Sequence, residues 1–255
     1  MKLKYPAEAF ALGIILFSAG MREAFAAGIL VILAVVFAEF LKNLLETFLP
    51  GWSLKLCVYV ATGSLCSSVF LVSFAVLGTL LDNGTWVMAF VIGLLAAHRS
   101  LSGEIDAQYG ELFLESAIAW GFWILLAIFR EFAGSGAIFG NTLFTAGFQS
   151  KAFLEVTFAF LAAGLVLAFT NGILKKECKT INSLFVFVPA VLLFRPFAMH
   201  ILGETAGLIW TILVPIVMFL SVKVTLKFSS IGKAYRGLPA DMLAAGFIYM
   251  ILSIY

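Results

Sequence analysis

The sequence predicts an all-α polytopic membrane protein, and three observations carry that prediction. Of 255 residues, 63% are hydrophobic and only 12% charged, whereas an ordinary soluble domain carries about 25% charged residues to wet its surface. The mean hydropathy is +1.10. Apolar runs of bilayer-crossing length recur along the whole chain instead of clustering at one end. A soluble globular fold is therefore excluded. A net charge of +2 is far too small for a nucleic-acid-binding surface, so charge matters here through its placement.

Hydrophobic runs between charged, Gly or Pro punctuation give nine segments, at 6–19, 24–42, 55–81, 85–97, 111–133, 152–174, 183–202, 205–226 and 237–255. The first follows only Lys2 and Lys4, lacks a small-residue cleavage pattern and runs straight into another span, so it reads as mature sequence and not as a removed leader. The first and fourth offer about 14 and 13 residues, roughly 20 Å of helix against about 30 Å of hydrocarbon. Each is expected to cross through a break near Gly13 or Gly93.

Charge placement orients the chain. With a cytoplasmic amino terminus and nine crossings, the inner ends carry Lys2, Lys4, Lys42, Lys55, Arg99, Lys175, Lys176, Lys179, Lys223, Lys227, Lys233 and Arg236, and the outer ends only Arg22, Arg130 and Lys151. That bias predicts N-in and C-out. The order short, long, long, then short, long, long implies an inverted three-plus-three repeat over 1–175, whose two short helices face each other at the midplane. Residues 176–255 add a further three-helix unit, interrupted by Pro189, Arg195 and Pro196.

Few residues carry chemistry. Arg130 and Glu131 end the fifth segment within the string Arg130-Glu131-Phe132-Ala133-Gly134-Ser135-Gly136-Ala137-Ile138-Phe139-Gly140. Read by itself, the adjacent pair is an interfacial couple that satisfies its own charges and caps a helix. Arg195 lies within an apolar segment, where a central cation costs at least about 2.5 to 3.5 kcal/mol. It calls for a carboxylate, with Glu39, Glu115 and Glu155 as candidates, either as a structural charge pair or as part of an ion path. His200 reads as an interfacial histidine. Cys57 and Cys66 are nine residues apart and so lie on opposite faces of one helix, unable to chelate together. Cys178 sits among lysines on the predicted cytosolic side, and no disulfide is expected. No Walker loop, Rossmann fingerprint, paired CxxC or HExxH occurs.

The string from Arg130 to Gly140 resembles a signature of the Rnf/Nqr family of electron-transport membrane subunits (A and E types of Rnf, D and E types of Nqr). Tyr235-Arg236-Gly237-Leu238-Pro239 and the final helix resemble the ending of the A-type subunit. The resemblance implies a prokaryotic cytoplasmic membrane, paralogous membrane partners, and flavin and iron–sulfur groups on partner subunits. In that family each paralogue lends two cysteines, one from each short helix, to a shared [2Fe-2S] cluster. Here Ile15 and Leu94 stand at those positions, and a cluster needs thiolate or imidazole ligands. The resemblance thus implies an auxiliary, scaffolding or ion-path subunit of an ion-translocating oxidoreductase that binds no cofactor alone and has no catalytic residue of its own. The other reading is a stand-alone secondary transporter or channel, with Gly13, Ile15, Gly93 and Leu94 at the midplane of its broken helices.

Overall fold

A computed structural model describes residues 3–102, 109–143, 147, 149–176, 182–195, 204–225 and 232–252. Its described residues form helices α1 (Ala7–Phe17), α2 (Met21–Leu45), α3 (Gly51–Val76), α4 (Asn83–Leu101), α5 (Tyr109–Ser135), α6 (Val156–Leu174), α7 (Leu184–Phe194), α8 (Glu204–Thr225) and α9 (Leu238–Leu252), and a two-residue hairpin, β1 (Ala137–Ile138) with β2 (Asn141–Thr142). Helices α2 to α6, and Ala206–Thr225 of α8, are long and apolar enough to cross a membrane; α1, α7 and α9 are apolar but shorter. An α-helical membrane protein accounts for this composition.

The centre of the bundle is α1. All of its residues except Leu16 are buried, and it packs against α2, α4, α6 and α7. A helix apolar on all sides belongs inside a larger assembly. The outer helices are apolar on both faces. Along α3, Leu54, Val58, Thr62, Cys66, Phe70 and Phe74 repeat every fourth residue and are buried, while Trp52, Leu56, Val60, Val72 and Val76 are exposed. Such an outward face suits hydrocarbon and not water. The last three helices are not a separate body: α7 packs on α1 and α4, and α9 on α6.

Two sequence expectations need correction. The fourth segment is not a short one of 85–97: α4 runs from Asn83 to Leu101, 19 residues. Its start lies earlier because Asp82 caps it, the carboxylate accepting the Thr85 hydroxyl and the N–H groups of Thr85 and Gly84. The Thr85 hydroxyl foremost holds that carboxyl below its ordinary range. Its end lies later because Arg99 and Ser100, although polar, find partners and stay helical. Nor is either helix broken at its glycine. Gly13 lies inside a continuous α1 and Gly93 inside a continuous α4.

Both glycines serve close packing. A Cβ on Gly93 would sit 2.7 Å from Cys66 Cβ and 2.8 Å from the backbone of Gly63 and Thr62, and one on Gly13 would sit 2.9 Å from the Trp123 ring. Small residues at such crossings let membrane helices approach to backbone contact. Gly93→Val is therefore expected to force α4 off α3 and cost about 1 to 3 kcal/mol. Gly121→Ala, with nothing within 4 Å of the new methyl, is expected to raise stability slightly through helix propensity. Thermal unfolding of the two variants in detergent checks the contrast.

Candidate functional site

The polar side chains of the spans gather in two layers, one at each end of α1. The far layer is built on the end of α5. Arg130, 1% exposed, donates from Nε to the Phe153 carbonyl at 2.9 Å, from Nη2 to the Glu155 carbonyl at 3.1 Å and from Nη1 to the Ser18 hydroxyl. The planar guanidinium, with donors in a fixed fork, suits three separate acceptors. It thereby ties the carboxyl end of α1 to the chain entering α6. Glu131 accepts the Met21 N–H at 2.8 Å on one oxygen and the Gly140 N–H at 2.6 Å on the other. Its negative charge sits at the amino end of α2, where the helix dipole favours it.

The adjacent pair thus does not satisfy itself, as its spacing implied. Each member instead holds a different neighbour. The glycines complete the device: Phe139 and Gly140 both have positive φ and form the two-residue turn between β1 and β2, a geometry that matches strand twist.

The near layer surrounds the first described residues. Glu115, 2% exposed, accepts the N–H groups of Lys4 at 2.6 Å and Tyr5 at 3.2 Å and the ammonium of Lys176. Lys176 also lies 3.7 Å from Glu111. Tyr5 donates its hydroxyl to Asn171, whose amide donates to the Ala234 carbonyl. Arg99 donates to the Leu3 carbonyl. Glu39 accepts from Ser100 at 2.5 Å and pairs with Lys42 at 3.4 Å. Lys223 joins Ser183 at 2.6 Å to Asp241 at 3.0 Å, tying α7, α8 and α9 together.

Between the layers the described interior is largely apolar, although the Thr62 hydroxyl and the Trp120 and Trp123 indole N–H groups are buried there without a hydrogen-bond partner. Glu115 and Arg130 are fifteen residues apart on α5, about 22 Å of rise, and midway between them Trp123 closes on Gly13.

Of the charges sequence reading singled out, Glu39, Glu115, Arg130 and Glu131 are buried and bonded as described. Arg195 and Glu155 are not buried. Arg195 ends α7 in the left-handed conformation, φ 39°, and is exposed; Pro196, which cannot continue a helix, explains why α7 stops before it. Glu39 and Glu115 are engaged by other partners, and among the described residues no ion pair joins Arg195 to Glu39, Glu115 or Glu155. Glu155 flanks the start of α6 and is exposed, lending Arg130 only its backbone carbonyl. His200 and Cys178 lie outside the described residues.

An iron–sulfur cluster does not fit the residues present. Ile15 is buried aliphatic core, Leu94 is half-buried, and the buried Cys66 is packed against Gly93 of the neighbouring helix. Among the described residues no three His, Cys, Asp or Glu side chains come together as ligands.

Sequence reading missed Ser18, Arg99, Ser100 and Lys176, which it passed over or counted as loop cations. A usable signal existed for Lys176: a carboxylate six residues inside an apolar helix requires a cation or N–H donors nearby. No protein-family model, no curated protein and no solved structure matches this chain.

Proposed function

We propose that this chain is a nine-crossing membrane subunit of an Rnf/Nqr-like, ion-translocating electron-transport complex, built on an inverted three-plus-three repeat and carrying no iron–sulfur cluster of its own. One observation carries the repeat. A serine at the end of α1, Ser18, bonds a charged residue near the end of α5, Arg130; a serine at the end of α4, Ser100, bonds a charged residue near the end of α2, Glu39. If α1–α3 match α4–α6, exchanging the two halves converts one tie into the other, at opposite ends of the bundle. Packing follows the same exchange: α1 on α6 answers α4 on α3, and α2 on α3 answers α5 on α6.

The near end holds Lys4, Lys42, Arg99, Lys176 and Lys223, and the far end Arg22, Arg130 and Lys151, which favours a cytoplasmic near end and an amino terminus inside. In this reading the ties at both ends brace α1, α2, α4, α5 and α6, and the short α1 counts as a crossing element because it runs from one polar layer to the other.

In this reading the chain supplies a rigid, insulated wall. Electrons would travel through groups on partner subunits, and the largely apolar interval between Glu115 and Arg130 keeps ions from leaking through this subunit. Among the described residues α1 and α4 run unbroken through Gly13 and Gly93, without the half-helix ends of a solute site there, which weighs against a stand-alone transporter or channel. Purification from native membranes in mild detergent tests the proposal: flavin- and iron–sulfur-bearing polypeptides are expected to accompany the chain, and the chain expressed alone is expected to hold no stoichiometric iron. Recovery as a homo-oligomer free of such partners, stabilised by a small solute, would overturn it in favour of the transporter.

A further inference from the structure

A groove of about 560 Å³ opens between α3, α4 and α7, within the size range of ligand pockets. Its walls are apolar, formed by Val91, Leu94 and Val188 among others, but its near end is polar, with Tyr59, His98 and Asn182. Tyr59 Oη and His98 Nδ1 lie 2.8 Å apart, with the two rings stacked and Phe185 edge-on to the imidazole. When Tyr59 donates to Nδ1, the ring proton of a neutral His98 resides on Nε2, leaving an N–H donor.

One turn before Tyr59 on the same face of α3 stands Lys55. It is exposed, and no ion pair holds it among the described residues. The groove lining itself holds no Lys or Arg, so the positive charge offered to its donor-bearing end is that of Lys55, one turn along α3, while the rest runs about 10 Å along α4, from His98 to Val91, as bare hydrocarbon surface.

We propose that this groove is a specific site for an anionic phospholipid. One acyl chain lies against Leu94, Val91 and Val188, and the phosphate sits at the Lys55 ammonium within reach of the Tyr59–His98 pair. Basic sites between membrane helices on the cytoplasmic side recognise anionic head groups in this way. Neutral donors beside the Lys55 cation, above an apolar slot, favour an anionic head group over a neutral tail alone. The site rests on the membrane-spanning reading of the chain.

Delipidated protein in detergent, offered phosphatidylglycerol or phosphatidylcholine with identical acyl chains and examined by native mass spectrometry, tests it. Phosphatidylglycerol is expected to be retained about fivefold over phosphatidylcholine, the effect of one basic side chain near an anionic head group. Lys55→Gln and Tyr59→Phe, both at the groove's rim, are expected to erase that preference, and Leu94→Trp, which fills the slot but leaves the donors, to reduce retention of both lipids. Equal retention of the two lipids by the unaltered chain overturns the site while leaving the membrane reading intact, as does a preference that survives Lys55→Gln and Tyr59→Phe. Failure of the chain to enter micelles at all overturns the membrane reading instead.

Discussion

Arg130→Ala is expected to lower stability by about 3 to 5 kcal/mol, among the largest effects of any single substitution outside the apolar core. The variant removes three hydrogen bonds from a fully buried guanidinium and leaves the Phe153 and Glu155 carbonyls and the Ser18 hydroxyl without it. A buried acceptor stripped of its donor costs about 1 to 3 kcal/mol, more than a bond to water contributes elsewhere. The consequence is directional, because those acceptors belong to the end of α1 and the entry to α6. Loss should therefore appear first as loosening of α1 at Ser18, read as faster amide hydrogen exchange over residues 14–21, with a lower unfolding temperature. Arg130→Lys keeps the charge but offers no planar fork, and is expected to recover less than half of the loss. Intact protection of that segment in Arg130→Ala would refute the clasp.

The string from Arg130 to Gly140 shows how much of such a site a sequence reveals. Its position at the end of a span was legible. Its work was not: adjacent letters imply a local pair, whereas Arg130 reaches back to Ser18 and forward to Phe153, and Glu131 reaches Met21. These are tertiary bonds, two of them across more than a hundred residues, and no periodicity encodes them. Physically, the string builds the fold: one residue holds α1, the next holds α2, and the glycines turn the hairpin. The bonds of this string testify to a scaffold.

The helices themselves were read well where apolar length decides and poorly where polar residues sit inside helices. The boundaries of α2, α5, α6 and α8 fall close to the hydrophobic runs. For α4 the rule that charge ends a span failed, because Arg99 is held by the Leu3 carbonyl and remains buried. For α7 the opposite happened: a run of apolar letters through 202 concealed a helix that ends at Phe194, where Arg195 takes a left-handed turn ahead of Pro196. The glycines misled in a third way. Gly13 and Gly93 were visible as exceptional, yet a glycine that breaks a helix and one that lets another helix approach look alike in sequence. Only the neighbour at contact distance, Trp123 in one case and Cys66 in the other, separates them.

The near layer yields the second large effect, and its sign depends on which partner is removed. Lys176→Met leaves the Glu115 carboxylate buried with two backbone N–H donors but no neutralising cation. Removing one member of a buried pair costs about 3 to 5 kcal/mol, chiefly from the charge left behind. Glu111 is no substitute, since it carries the same sign as Glu115 and lies toward solvent.

The double variant Lys176→Met with Glu115→Gln is expected to regain most of that loss. The glutamine oxygen still accepts from Lys4 and Tyr5, and no charge remains to be solvated. Measured by thermal unfolding, the single variant should melt well below the double variant, an inversion of the usual order in which two substitutions cost more than one. Glu115→Gln alone falls between them, since it strands the Lys176 ammonium but leaves it Glu111 to approach. If the double variant instead melts lowest, the ion pair stabilises the near layer beyond the cost of burying its charges, and the anchoring of residues 4 and 5 would rest on charge and not on hydrogen bonding.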